Sequence, residues 1–137
     1  MIQFNYEIDY KLEDEKDTVA WISNCIQSYG FTEGEINYIL CDDEYLLKLN
    51  IEFLGHDTLT DIISFDYTLG KLISGDIFIS VERVLENALN LNQSFENELN
   101  RVMIHGILHY CGFKDKSDDE KATMRAEEDK CLKLIIS

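Results

Sequence analysis

The residues best suited to chemistry lie in one short stretch of the 137-residue chain: His105-Gly-Ile-Leu-His109-Tyr-Cys-Gly112-Phe-Lys-Asp115. The chain holds only three histidines, and two of them are four positions apart. Residues i and i+4 of a helix share a face one turn apart, so two imidazoles at this spacing can bind one Zn²⁺ at ~2.1 Å each. Gly112 lets the chain leave the helix through a left-handed turn, and Asp115, three residues on, can swing back to the metal. Three protein ligands leave a fourth position for water, the pattern of a catalytic zinc. The expectation is one Zn²⁺ per chain on His105, His109 and Asp115, which act in catalysis through the zinc-bound water. Two plainer readings stand beside it. The histidines could be partly exposed helix residues without metal, and Cys111 could compete as a ligand. Cys111 lies about 200° round the helix from His109, which favours a buried structural thiol.

The spacing is also that of the metzincin proteases, H-x-x-x-H-x-x-G-x-x-(H/D). Those enzymes use a Glu directly after the first His as general base. Gly106 occupies that position here and has no proton-accepting side chain, so protease or amidase chemistry of that type is disfavoured. What remains is a zinc-bound water acting as nucleophile, with Gly106 leaving room for a bulky substrate.

The elements that must position these residues follow from periodicity. Residues 2–9 alternate apolar and polar as a strand, and 35–41 read as a second. Val19, Trp21, Ile22, Cys25 and Ile26 fall at helical spacing within about 16–29, and Gly30 stops the run. Residues 42–50 read as a short helix with acids in its first turn, and 51–60 as a loop. Two strands, 61–67 and 75–81, flank Gly70 as a hairpin-type pair. Ser80 caps a helix over about 81–92, Ser94 caps one running to Cys111, and Ser117 with Glu120 opens a last helix over about 118–135 as a capping box. The expected fold is α+β: a small mixed sheet of about four strands packed against helices, with a C-terminal helix pair carrying the metal site. No linker or repeat divides residues 1–137, so a single domain is expected.

Composition limits the function classes. The chain carries 27 acids against 12 bases, a net charge of −15. A general nucleic-acid coat is disfavoured, because phosphate binding rests on Lys and Arg. Seven of the twelve cations lie in residues 101–137, where acids and bases balance, so an anion is best received at the C-terminal surface. The four cysteines form no C-x-x-C pair, and free thiols are expected. No run approaches a membrane span, and the acidic N-terminus is not a signal peptide, so the expected compartment is the cytoplasm.

At this point the sequence resembles the YbeY family of bacterial rRNA-maturation endoribonucleases. HGILHYCGFKD matches that family's metal motif, with Asp115 where many members have a third His. HDTLTDIISF (56–65) is similar to its D-x-P-T-D-V-L-S-F segment, and GDIFIS (75–80) to its G-D-I-x-I-S strand. Glu120 and Met124 match the E-x-x-x-M downstream, so the likeness spans roughly residues 40–128. Leu54 stands where the family has an arginine, and Leu59 and Asp66 replace two usual prolines. The resemblance implies a zinc-dependent, single-strand-specific endoribonuclease, acting in 16S rRNA 3′-end maturation and ribosome quality control. Its partners would be rRNA of the small subunit and, given the acidic charge, a basic ribosomal protein or assembly GTPase, with no membrane or DNA. Candidate substrate contacts are His56, Ser64, Lys114, Lys116 and Arg125. Against this, Thr60 and Asp61 are expected to satisfy backbone groups at a loop–strand junction, and His56 to be an exposed loop residue. The alternative function is a ribosome-assembly factor with a mainly structural zinc and no cleavage of its own.

Overall fold

A computed structural model describes residues 1–135. Its elements run β1 (Ile2–Tyr6), α1 (Glu15–Ser28), β2 (Thr32–Cys41), α2 (Asp43–Leu49), β3 (Ile62–Asp66), β4 (Leu72–Ser80), α3 (Val81–Asn90), α4 (Phe95–Tyr110) and α5 (Asp118–Leu132). The class is α+β with a four-stranded mixed sheet, in strand order β1-β2-β4-β3. β1, β2 and β4 run parallel, and β3 pairs antiparallel with β4. The hairpin around Gly70 forms as the sequence suggests, with Gly70 at φ 58° and a Leu69–Leu72 bridge closing it.

Helix starts follow local chemistry. The Ser80, Ser94 and Ser117 side chains accept from the backbone N–H groups of Arg83, Asn97 and Glu120, each satisfying a donor that the first helical turn leaves unpaired. The Glu120 carboxylate returns the bond to Ser117 N–H, completing the capping box. Several boundaries differ from expectation: β2 and β4 each begin three residues earlier, at Thr32 and Leu72. β1 ends at Tyr6, not residue 9, and the residues after α2 do not form a plain loop. Asn50–Leu54 make a π-type turn closed by Gly55 in the left-handed region. The buried Asn50 amide, which donates to Thr58 O at 2.8 Å, ties that turn to the segment leading into β3.

One face of the sheet supplies most of the core. Ile36, Tyr38, Leu40, Ile73, Ile77 and Ile79 meet Ile22, Cys25 and Ile26 of α1 and the long apolar surface of α4. A smaller cluster of Cys41, Leu46 and Ile63 lies under α2 on the other face. Helix α4 is buried along most of its length; beyond its first turn only Asn100, Arg101, His105 and His109 show partial exposure. The last three of these are four apart, so they form one stripe down the helix. The rest of α4 is fixed against the sheet. Gly106 faces β3 and β4 so closely that an added Cβ would stand 3.1 Å from Ile77 Cδ1 and 3.3 Å from Ile62 Cδ1. The Tyr110 hydroxyl donates to Phe65 O at 2.9 Å, with Asp76 O at 3.2 Å. This phenol crosses the sheet at Gly75, where a Cβ would collide with the Tyr110 ring and with Phe65 O. Gly75→Ala is therefore expected to destabilise the fold by about 1–3 kcal/mol, the range of overpacking in a close-packed interior, measured by urea unfolding with an unchanged m-value.

Candidate metal centre

The polar stripe of α4 reaches the surface where α4 ends. Its chain leaves the helix at Gly112, whose φ is 100°, and the segment up to the α5 cap at Ser117 carries Asp115 back toward the two histidines. The Nε2 atoms of His105 and His109 stand 3.0 Å apart. Asp115 Oδ2 lies 3.2 Å from His105 Nε2 and 3.3 Å from His109 Nε2. Two nitrogens and a carboxylate oxygen thus form a nearly equilateral triangle. Ligand atoms bound at ~2.1 Å in a tetrahedron are about 3.4 Å apart, so this donor set fits a divalent ion of zinc's size with little movement. The side chains retain 22%, 31% and 39% of their exposure in the order His105, His109, Asp115, which leaves the fourth direction open to solvent.

The buried side of the centre is charged. His105 Nδ1 is 2.7 Å from Glu128 Oε2, and Arg101 Nη1 donates to Glu128 Oε1 at 2.9 Å. The other end of the Arg101 fork donates to Asp129 Oδ1 at 2.7 Å. Asp61, at the start of β3, lies close enough to feel the His105 charge. Burial lifts its carboxyl above the ordinary range despite that opposing attraction. Glu98, one turn before Arg101, is buried, one of its oxygens has no hydrogen-bond partner among the described residues, and burial raises its carboxyl too. For His105 itself burial acts downward. The hydrogen bond to Glu128 and the charges of Glu128, Asp115 and Asp61 outweigh it, and the imidazole titrates above its ordinary range in the metal-free chain.

The remaining candidates sit apart from this triangle. Lys114 and Lys116 are exposed on either side of Asp115, and Arg125 is exposed on α5. Ser64 lies on the α4-facing side of β3, against the Tyr110 phenol. His56 is exposed just beyond the π-type turn, its N–H donating to Asn50 O at 3.1 Å. Among the described residues none of these five side chains hydrogen-bonds to the triangle. Leu54, the last residue of that turn, is half exposed. Cys111 is partly buried beside the core, turned away from the histidines as its helical angle suggests. The expectation that Gly106 leaves space for substrate is corrected: it faces Ile62 and Ile77 in the interior, where its missing side chain lets helix and sheet approach. Three residues escaped the sequence reading: Glu128, Arg101 in its clamping role, and Asp61 as a neighbour of the centre. The four-residue spacing of Arg101, His105 and His109 along the otherwise apolar stretch 101–110 is a legible signal. Nothing in the run Glu127-Glu128-Asp129 marks the middle acid.

The model of the family described as Endoribonuclease YbeY matches residues 3–135. A protein of that name from Flavobacterium johnsoniae is 62% identical over 135 residues, covering 98% of this chain and 97% of the relative. The Flavobacterium psychrophilum protein of the same name is 60% identical, covering 98% and 96%. Among solved structures, the solution structure of TM1509 from Thermotoga maritima superposes with a TM-score of 0.74 at 26% identity, covering 98% of this chain and 89% of that one.

The His105 environment sets a pH dependence. A raised imidazole contributes stability that is complete below the unfolded value of ~6.5 and is lost as pH climbs through the folded value. Metal-stripped protein is thus expected to show a His105 C2–H midpoint above ~6.5 by NMR, and this contribution to its stability should disappear on the alkaline side. A midpoint at or below the unfolded value would contradict the assignment of Glu128 as the dominant partner.

Proposed function

This chain belongs to the endoribonuclease YbeY family, and on that footing we propose that it is a zinc-dependent, single-strand-specific endoribonuclease of 16S rRNA 3′-end maturation and ribosome quality control. The observation that carries the reading is the convergence of His105, His109 and Asp115 on one point at the open end of α4. A divalent ion held there would supply Lewis acidity toward a phosphodiester and a water nucleophile usable at neutral pH. The chain's own contribution is to hold that ion by three side chains and leave one side open. A closed structural zinc would use four protein ligands, so the partial exposure of all three side chains favours chemistry over scaffolding. Position 106 faces the core and offers no carboxylate, which supports phosphodiester hydrolysis over peptide hydrolysis.

Lys114 and Lys116, flanking Asp115, are placed to meet phosphates next to the reacting one, and Arg125 adds charge on the adjacent helix. His56 and Ser64 are substrate contacts in this reading, on the β3 side where Leu54 replaces the family arginine. A leucine offers no guanidinium fork, so part of the phosphate binding must come from elsewhere. With a net charge of −15, delivery of rRNA by a basic ribosomal protein or an assembly GTPase fits the protein better than capture of naked RNA. Among the described residues no helix is long and apolar enough to cross a membrane. We place the whole chain, as one domain, in the cytoplasm at the small ribosomal subunit.

The test is metal analysis followed by RNA cleavage, with wild type, His109→Ala and a casein control side by side. The expected outcome is one zinc per chain, metal-dependent cleavage of single-stranded RNA, cleavage at background for His109→Ala, and no proteolysis. Bound zinc without cleavage, accompanied by a lower Tm on chelation, would select the assembly-factor reading instead. A second measurement concerns Asp115. Its carboxylate makes the centre one charge more negative than a histidine would, so loss of a further proton there is harder. The pH midpoint of cleavage is expected to fall in Asp115→His, and an unchanged or higher midpoint would refute that.

A further inference from the structure

We infer that Glu128 is the positioning residue of this centre: clamped by Arg101, its carboxylate accepts the hydrogen bond from His105 Nδ1–H, turns Nε2 toward His109 and Asp115, and ties metal capture to the docking of α5. The inference rests on the metal-centre reading above and adds a role for a residue outside the triangle.

An imidazole presents a lone pair at one nitrogen only when the other nitrogen carries the proton, and the partner of that second nitrogen decides which is which. At His105 the partner is Glu128 Oε2 at 2.7 Å, a charge-assisted distance. The carboxylate cannot rotate away, because its other oxygen receives Arg101 Nη1 at 2.9 Å and the group is only 5% exposed. Arg101 is itself fixed by Asp129 at 2.7 Å. Four side chains from two helices thus end in one oriented ring. His109 has no equivalent support: among the described residues its ring makes hydrogen-bond-length contacts only through Nε2, to His105 and Asp115. The centre is therefore anchored through one histidine, and that anchor belongs to α5.

The same arrangement bears on α5. This helix is polar along most of its length, and only Met124, Glu128 and Cys131 are buried. A buried carboxylate is costly unless its oxygens are matched, and here one match is Arg101 and the other is the His105 ring. A stabilising ion pair alone would need only the arginine. The second oxygen, directed at Nδ1, is what a purely structural bridge leaves unexplained.

The test uses the full chain with Zn²⁺ as the probe. Zinc affinity is measured by competition with a fluorescent chelator for wild type, Glu128→Ala, Glu128→Gln and Asp129→Ala. Proton positions on the imidazoles of zinc-loaded protein are read from long-range ¹H–¹⁵N spectra. Wild type is expected to bind one zinc with His105 protonated at Nδ1. Glu128→Ala should lose about 10–100-fold in affinity. Glu128→Gln, which keeps an acceptor oxygen, should recover part of that loss, and Asp129→Ala, which loosens only the outer end of the Arg101 clamp, should lose less than Glu128→Ala. Zinc should slow amide exchange along α5 in wild type and much less in Glu128→Ala. Wild-type zinc binding with undiminished affinity in Glu128→Ala, or His105 protonated at Nε2, would overturn the inference alone. Absence of zinc binding by wild type would overturn both it and the reading on which it rests.

Discussion

The rotational setting of α4 about its own axis governs everything else. A helix carrying two histidines four apart can aim them anywhere; what fixes the direction is the opposite face. Gly106 lies flat against Ile62 and Ile77, and the Tyr110 hydroxyl reaches across Gly75 to the backbone of β3 and β4. With those contacts made, the stripe Arg101–His105–His109 can only face outward, toward α5 and the Asp115 segment. Two glycines and a tyrosine, none of them a ligand, thus determine where the ligands point. Dense packing resists even small rotations, so the aim is held as firmly as the core.

Much of this was legible in the sequence because the signals are local. Serine caps at 80, 94 and 117, the left-handed exit at Gly112 and the i, i+4 histidines each need only a few neighbouring residues to be recognised. The short mixed sheet followed from strand-like runs placed mostly before the helices. The failures are non-local. Gly106 looked like open space because a sequence does not say whether a glycine faces a cleft or a sheet. Glu128 was one acid among three, and only the packing of α5 on α4 singles it out. The π-type turn at Asn50–Leu54 depends on a buried amide bonding to Thr58, a partner no periodicity announces.

The electrostatic design is lopsided. Asp61, Glu98 and Glu128 lie behind the histidines, with the Arg101 guanidinium set among them and that of Arg125 near Glu98. Such a wall of carboxyl groups favours a cation at the mouth and opposes an anionic substrate. An ion held by the triangle would reconcile an acidic protein with a polyanion, offsetting the wall at the one point where a phosphate must come close. The lysines beside Asp115 extend that reversal of sign outward along the surface.

The stretch from Gly112 to Ser117 is stapled at both ends, by a left-handed backbone turn and by a reciprocal serine–glutamate cap. The freedom of the tether bearing Asp115 has thus been surrendered during folding, before any ion arrives. Coordination then behaves as closure of a preformed tripod, with little of the ion's binding energy diverted into ordering the loop that carries the third ligand.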